Sequence, residues 1–196
     1  MPVASLDQVQ NTNECRRVLI TGEFDPDHTF FLGPRPPPIN TPSNMPRSGA
    51  YVVTLFTLTN GERIFVNRGW VPKQKANVSS IRCPSGCVKL ICVCSTAEKP
   101  NAFSVKHLDE KNMGKNLFWL DTTTLANSIG ESNPIVVMDE LGDETDLLDA
   151  IPLRKQEGNY VDFRVSPLGH ATYSATWFTL AACGAVLTRN RFKRKF

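Results

Sequence analysis

GAYVVTLFTLTNGERIFVNRGWVP, residues 49–72, sets two β-rich runs on either side of an Asn-Gly pair. Residues 49–58 are dense in Val, Leu, Phe, Thr and Tyr, whose branched or flat side chains suit a pleated surface. Asn60 and Gly61 tolerate the positive φ that a tight turn demands, so residues 62–67 return as a second strand. Gly69 marks a kink in that strand, and Pro72, which has no backbone N–H, ends its pairing. The spacing predicts a hairpin, and with it an antiparallel, β-rich domain.

Working outward, residues 17–24 and 29–33 have strand composition, and Asp25-Pro26-Asp27 between them reads as the turn of another hairpin. Residues 34–48 hold six prolines and form a loop by composition. Their PRPPP run also fits a polyproline ligand, though a connector is the commoner meaning. Beyond the central hairpin, residues 88–94 (VKLICVC) read as a strand and residues 95–116 as a polar loop. Asp121, followed by three threonines, offers an N-cap for a short helix through Leu125 and Ile129 that Gly130 and Pro134 stop. Residues 134–139 read as a buried strand, the acidic run to residue 149 as a loop and residues 160–165 as a last strand. The expected class is mainly β (α+β). A flexible segment at 1–14 leads into a small antiparallel β-barrel or sandwich-like soluble domain at 15–165, with one inserted short helix.

A different signal closes the chain. From Val165 to Thr188 there are 24 consecutive residues without Asp, Glu, Lys or Arg, and Arg189, Arg191, Lys193, Arg194 and Lys195 follow. At 1.5 Å per residue such a helix reaches about 36 Å, enough for a hydrocarbon core of about 30 Å. The expectation is a transmembrane helix at 166–188, with the basic tail at 189–196 on the side that was not translocated. The competing reading is a buried core helix, because Thr172, Ser174, Thr176 and Thr179 dilute the apolar run. The net charge of +3 resides in that tail: without it 17 basic residues face 19 acidic ones, a balance of −2. Such a surface does not predict nucleic-acid binding, and the expected partner of the tail is anionic membrane lipid. The first residues, MPVASLDQVQNTNECRR, have neither an apolar signal core nor an acid-free basic leader. They imply either a tail-anchored protein with a cytosolic domain or a chain whose natural beginning lies upstream.

Few residues point to chemistry. No GxSxG, HExxH or Gly-rich phosphate loop is present, so the sequence reads as non-enzymatic. His28 and His107 lie in polar segments and read as solvated surface groups. His170 opens the apolar stretch and, with Tyr173, Thr176 and Trp177, forms HxxYxxTW, a row on one helix face. Two readings of that row stay open. The imidazole is an axial ligand for haem iron with Tyr173 and Trp177 against the macrocycle, or the three rings are an interfacial belt anchoring the helix at headgroup depth. Cys83, Cys87, Cys92 and Cys94 form CxxxC and CxC within twelve residues. They could hold zinc or copper(I), pair as disulfides, or remain small buried or free thiols, and the spacing matches no familiar zinc finger.

Several of these stretches together resemble one family. GEFD at residues 22–25, SGAYVVTLF at 48–56, VNRGWVP at 66–72, LFWLD at 117–121, PIVVMDE at 134–140 and the final HxxYxxTW are similar, in the same order, to the Surfeit locus protein 1 family of cytochrome c oxidase assembly factors, Shy1 in yeast. The resemblance covers most of residues 15–190. It implies a protein of the mitochondrial inner membrane with two spans, a domain in the intermembrane space and both ends in the matrix. It also implies a non-enzymatic role in complex IV biogenesis, as a chaperone-like factor for the largest oxidase subunit and its assembly intermediates during haem a insertion. Bacterial relatives have been proposed to bind haem a through a histidine that matches His170. Residues 1–14 do not read as the family's first span or targeting sequence, so the two-span topology is expected only if the natural protein begins upstream, and the cysteine cluster has no family counterpart.

Overall fold

The computed structural model describes residues 17–38, 41–77, 81–95, 98, 115–133, 135–142, 151–161 and 166–193. The readings for residues 1–14 and for His107 lie outside them, as do Pro134, most of the acidic run, residues 162–165 and the last three residues of the tail. The chain divides into two units, residues 1–159 and 160–196.

The first unit is one six-stranded sheet: β1 (Arg17–Arg35), β2 (Gly49–Leu58), β3 (Arg63–Pro72), β4 (Val88–Ser95), β5 (Asn116–Leu117) and β6 (Val137–Glu140). The spatial order is β2-β3-β6-β4-β1-β5, and β1 also pairs with β2. The central hairpin forms as its sequence predicts. Leu58 N–H donates to the Glu62 carbonyl at 2.8 Å, and Gly61 adopts φ +87°. Residues 17–33, expected as two strands, are instead one long strand. Asp25-Pro26-Asp27 does not reverse the chain, because the Asp25 carboxylate accepts from the Asp27 N–H at 3.0 Å and the Thr29 hydroxyl donates to the Pro26 carbonyl at 2.9 Å. Those local bonds absorb the extra residues as an irregularity in the β1–β2 register between Asp25 and Thr29.

The expected small antiparallel β-barrel or sandwich-like domain is borne out in its mainly β class and corrected in its architecture. Along β1, residues 17–22 pair with β4, whereas pairing with β2 begins at Gly22. The two neighbours therefore share β1 end to end instead of flanking it along one length, which gives a strongly curled sheet. Gly22, where the neighbours change over, has no room for a Cβ, which would collide with the Thr57 carbonyl. Nor is the sheet wholly antiparallel: β6 runs parallel to β3 and β5 parallel to β1.

The curl buries β2 and β3 on both faces, which is why they read as continuous apolar runs. Val53, Leu55, Phe65 and Val137 pack with Leu120, Leu125 and Ala126 on the outer side. Phe56, Ile64, Val66 and Met138 pack with Val18, Ile20, Leu90 and Cys92 on the inner side. Leu125 and Ala126 come from α1 (Thr122–Ser128), the inserted short helix. Its N-cap is Asp121, which accepts from the N–H groups of Thr123 and Thr124 at 3.0 and 3.3 Å, and Gly130 at φ +76° lies just beyond its end. Both are the signals read from the sequence.

At the other end of the chain, α2 (Gly158–Val161) replaces the beginning of the expected strand at 160–165. In the second unit, α3 (Pro167–Lys193) is a 27-residue helix with no buried residues. Among the described residues no helix is long and apolar enough to cross a membrane. This corrects the transmembrane reading: α3 meets the length but not the apolarity, because hydroxyl groups crowd its first half. Thr172, Thr176 and Thr179 return their hydroxyls to carbonyls three or four residues back at 2.8–2.9 Å.

Candidate functional site

The residues that bear polar chemistry inside the first unit meet around the kink of β3. Pairing of β2 with β3 passes from Val52–Gly69 to Val53–Asn67, so Arg68 is an extra residue, a bulge. Gly69 follows at φ +127°, with backbone of Leu153 where a Cβ would stand. Only glycine suits both demands. The bulge admits a short segment onto the freed edge: Trp70 N–H and the Leu153 carbonyl, and Leu153 N–H and the Trp70 carbonyl, bond at 2.8 Å each. Trp70 is fully buried, and its indole N–H donates to the Arg35 carbonyl at 3.0 Å.

Charged residues then lock that segment. Asp139 and Glu140 are consecutive in β6, so they point to opposite faces of the sheet, and both are buried. Asp139 accepts from the Asn67 amide at 2.6 Å and pairs with Lys155 at 2.8 Å. Glu140 pairs with Arg154 Nε at 2.8 Å. Consecutive basic residues of one strap, residues 151–155, thus hold consecutive acids of one strand. Arg68 donates to the Arg82 carbonyl at 2.7 Å and lies 4.9 Å above the Phe24 ring. Burial pushes its guanidinium below the ordinary value, while Cys83 and Glu140 oppose that shift. Every buried charge in the knot therefore has partners, which is what a buried charge requires. The arrangement holds shape.

The predicted site residues lie elsewhere. His170, Tyr173 and Trp177 share one face of α3 and are all exposed, Tyr173 at 66% and Trp177 at 70%. The row supplies a possible axial ligand and two aromatic surfaces. On α3 all three side chains are open rather than enclosed, whereas a haem site takes a dry cavity as well as a ligand.

Nor does a metal centre assemble from the thiols. Cys92 and Cys94 do share a face, both against the inner core, and Cys92 is fully buried. Burial drives the Cys92 thiol far above its ordinary range, with Glu140 and Asp139 adding to the shift. Cys83 is half-buried and pushed up by the same cause against the pull of Arg68, and Cys87 is exposed. Among the described residues no three His, Cys, Asp or Glu side chains are grouped to hold an ion. Cys83, Cys87, Cys92 and Cys183 carry free thiols. His28, read as solvated, is half-buried with its Nδ1 2.8 Å from Asp25.

The sequence stretches that carried the family resemblance, VNRGWVP and PIVVMDE, are the two that meet in the knot. A sequence model of the SURF1 family matches residues 1–182. The chain belongs to the SURF1 family. Similar relatives include Surfeit locus protein 1 of Arabidopsis thaliana, 24% identical over 97% of this chain and 64% of that protein. A SURF1-like protein of Monosiga brevicollis is 29% identical over 86% and 63%. The human Surfeit locus protein 1 is 28% identical over 92% and 60%. The chain thus spans about three-fifths of the length of these SURF1 relatives.

Sequence reasoning missed Asn67, Asp139, Glu140, Arg154 and Lys155 as a set. A visible signal existed in two acids ending an apolar run, but their partners are 72 and 16 residues away from Asp139. It also missed a cleft of about 330 Å³ at the end of β1 and β2.

Proposed function

We propose that this protein is an assembly factor for mitochondrial cytochrome c oxidase, assisting maturation of the largest subunit and the insertion of its haem a. The observation that carries the proposal is membership of the SURF1 family over nearly the whole chain. In this reading its partners are the largest subunit and the intermediates that contain it, and its place is the mitochondrial inner membrane. The β-rich unit faces the intermembrane space, and the basic residues at the end of α3 meet anionic lipid headgroups. Two physical features support a holding role without turnover. The sheet is locked by paired buried charges, which suits a body that must present a fixed surface. The apolar side chains of α3, such as Trp177, Phe178 and Leu187 at 70–76% exposure, gain from cover by lipid or by the subunit being held. Cells lacking the protein should lose assembled oxidase while other respiratory complexes persist, as resolved by native electrophoresis. Normal oxidase levels in those cells would refute the assignment.

A second reading rests on the exposed row of α3. Here the protein is a haem a-binding chaperone in which His170 ligates iron, Tyr173 and Trp177 contact the ring, and the partner subunit completes the enclosure. The visible spectrum of the protein with haem a should then change on His170→Ala, and an identical spectrum removes His170 from that role.

A further inference from the structure

The cleft at the end of β1 and β2 owes its existence to the backbone. Register between the two strands slips from Leu32–Tyr51 to Arg35–Gly49, leaving Gly33 and Pro34 as the irregular pair. Strand β1 splays there, and the facing residues are small, Gly49 and Ala50. Phe31 and Ala50 are buried, Ala76 is half-buried, and Phe118 stands 39% exposed at the side. The space is open to solvent and about 330 Å³ in volume, at the lower end of the range of small-molecule sites.

Its polar groups are few and of one sign. The Lys73 ammonium is the only charge among the lining residues, with the Asn116 amide and the Ser48 hydroxyl as neutral partners. Lys73 is exposed, and among the described residues no carboxylate pairs with it. Several described acids are instead held by other cations: Glu98 pairs with Arg35, Glu131 with Arg63 and Glu157 with Arg17. An aromatic-walled space with one unpaired cation at its edge and no acid in its lining has the complement of a small anionic amphiphile.

We propose that this cleft binds a small amphiphilic anion, its flat or aliphatic body between Phe31 and Phe118 and its anionic group on Lys73. The inference is independent of the role in oxidase assembly. The probe is naphthalene-2-sulfonate, with 2-methylnaphthalene as its uncharged counterpart, added to the full chain carrying 13C-labelled alanine methyl groups. NMR then reads location directly, because Ala50 and Ala76 line the cleft, Ala126 is in the outer core, and Ala171 and Ala175 are on α3. Saturable shifts at Ala50 and Ala76, with Ala126 unmoved, are expected. Lys73→Glu should weaken the sulfonate about tenfold or more and leave the uncharged compound within about twofold, since a charge-assisted bond is lost and the walls are intact. Ala76→Phe should abolish both while the remaining alanine signals and the unfolding temperature stay as in the parent, and Ser48→Phe at the mouth serves if Ala76→Phe does not fold. Shifts confined to Ala171 and Ala175, or equal sulfonate affinity in Lys73→Glu, would overturn the proposal.

Discussion

Gly69 is the residue on which the polar knot turns. A methyl group there meets both a φ of +127° and the Leu153 backbone, so Gly69→Ala should cost about 2–3 kcal/mol in urea unfolding. Asp139→Asn keeps the shape but loses the charge that Lys155 faces. Because Lys155 is only 24% exposed, the loss should be about 2 kcal/mol, less than for a wholly buried pair because water reaches the ammonium. Unchanged unfolding midpoints in either variant would show that the strap is not held as described. The thiols give a third test. Cys92 is buried and its thiol is pushed far up, so mass spectrometry should find it unalkylated by iodoacetamide in the folded protein at neutral pH, with the exposed Cys87 modified first.

At the scale of elements, α1 is seven residues long and depends on its cap. Asp121→Ala removes the acceptor for Thr123 and Thr124 and should lower stability by about 1 kcal/mol, measured by thermal unfolding. Strand β1 has an acid-sensitive point at its irregularity. Burial pushes the Asp25 carboxyl up, but hydrogen bonds from His28 and the Asp27 N–H outweigh it and leave the group below its ordinary 3.8. A depressed folded value means that the stabilisation is present above about pH 3.8 and fades as pH falls through the lower folded value. Asp25→Asn should therefore flatten the unfolding midpoint against pH below about pH 4. These elements differ in how far they were legible. The cap of α1 and the Asn-Gly turn are local bonds between neighbours in the chain, so composition reveals them. The Asp25-Pro26-Asp27 stretch has the same composition as a turn, and the long pairing of β1 with β2 on both sides of it decides that the strand continues.

At the scale of the molecule, the chain divides into units at residues 1–159 and 160–196. A charge-free run of 24 residues predicted a helix at 166–188, and α3 forms there but continues to Lys193, into the basic tail. Whether that helix crosses a bilayer depends on how apolar it is throughout, and the hydroxyls of its first half fall short. The β-rich class, the central hairpin, the inserted helix and the family were set by the sequence alone, because each rests on local periodicity, turn chemistry or an ordered series of motifs. Only the tertiary structure decided that the sheet curls until β1 pairs with both β4 and β2, that β6 lies parallel to β3, that Asp139 and Glu140 meet Lys155 and Arg154, and that a cleft opens beside Lys73. Those features come from contacts between residues far apart in the chain, whose partners are selected by strand register and burial, and no window of neighbouring residues contains that information.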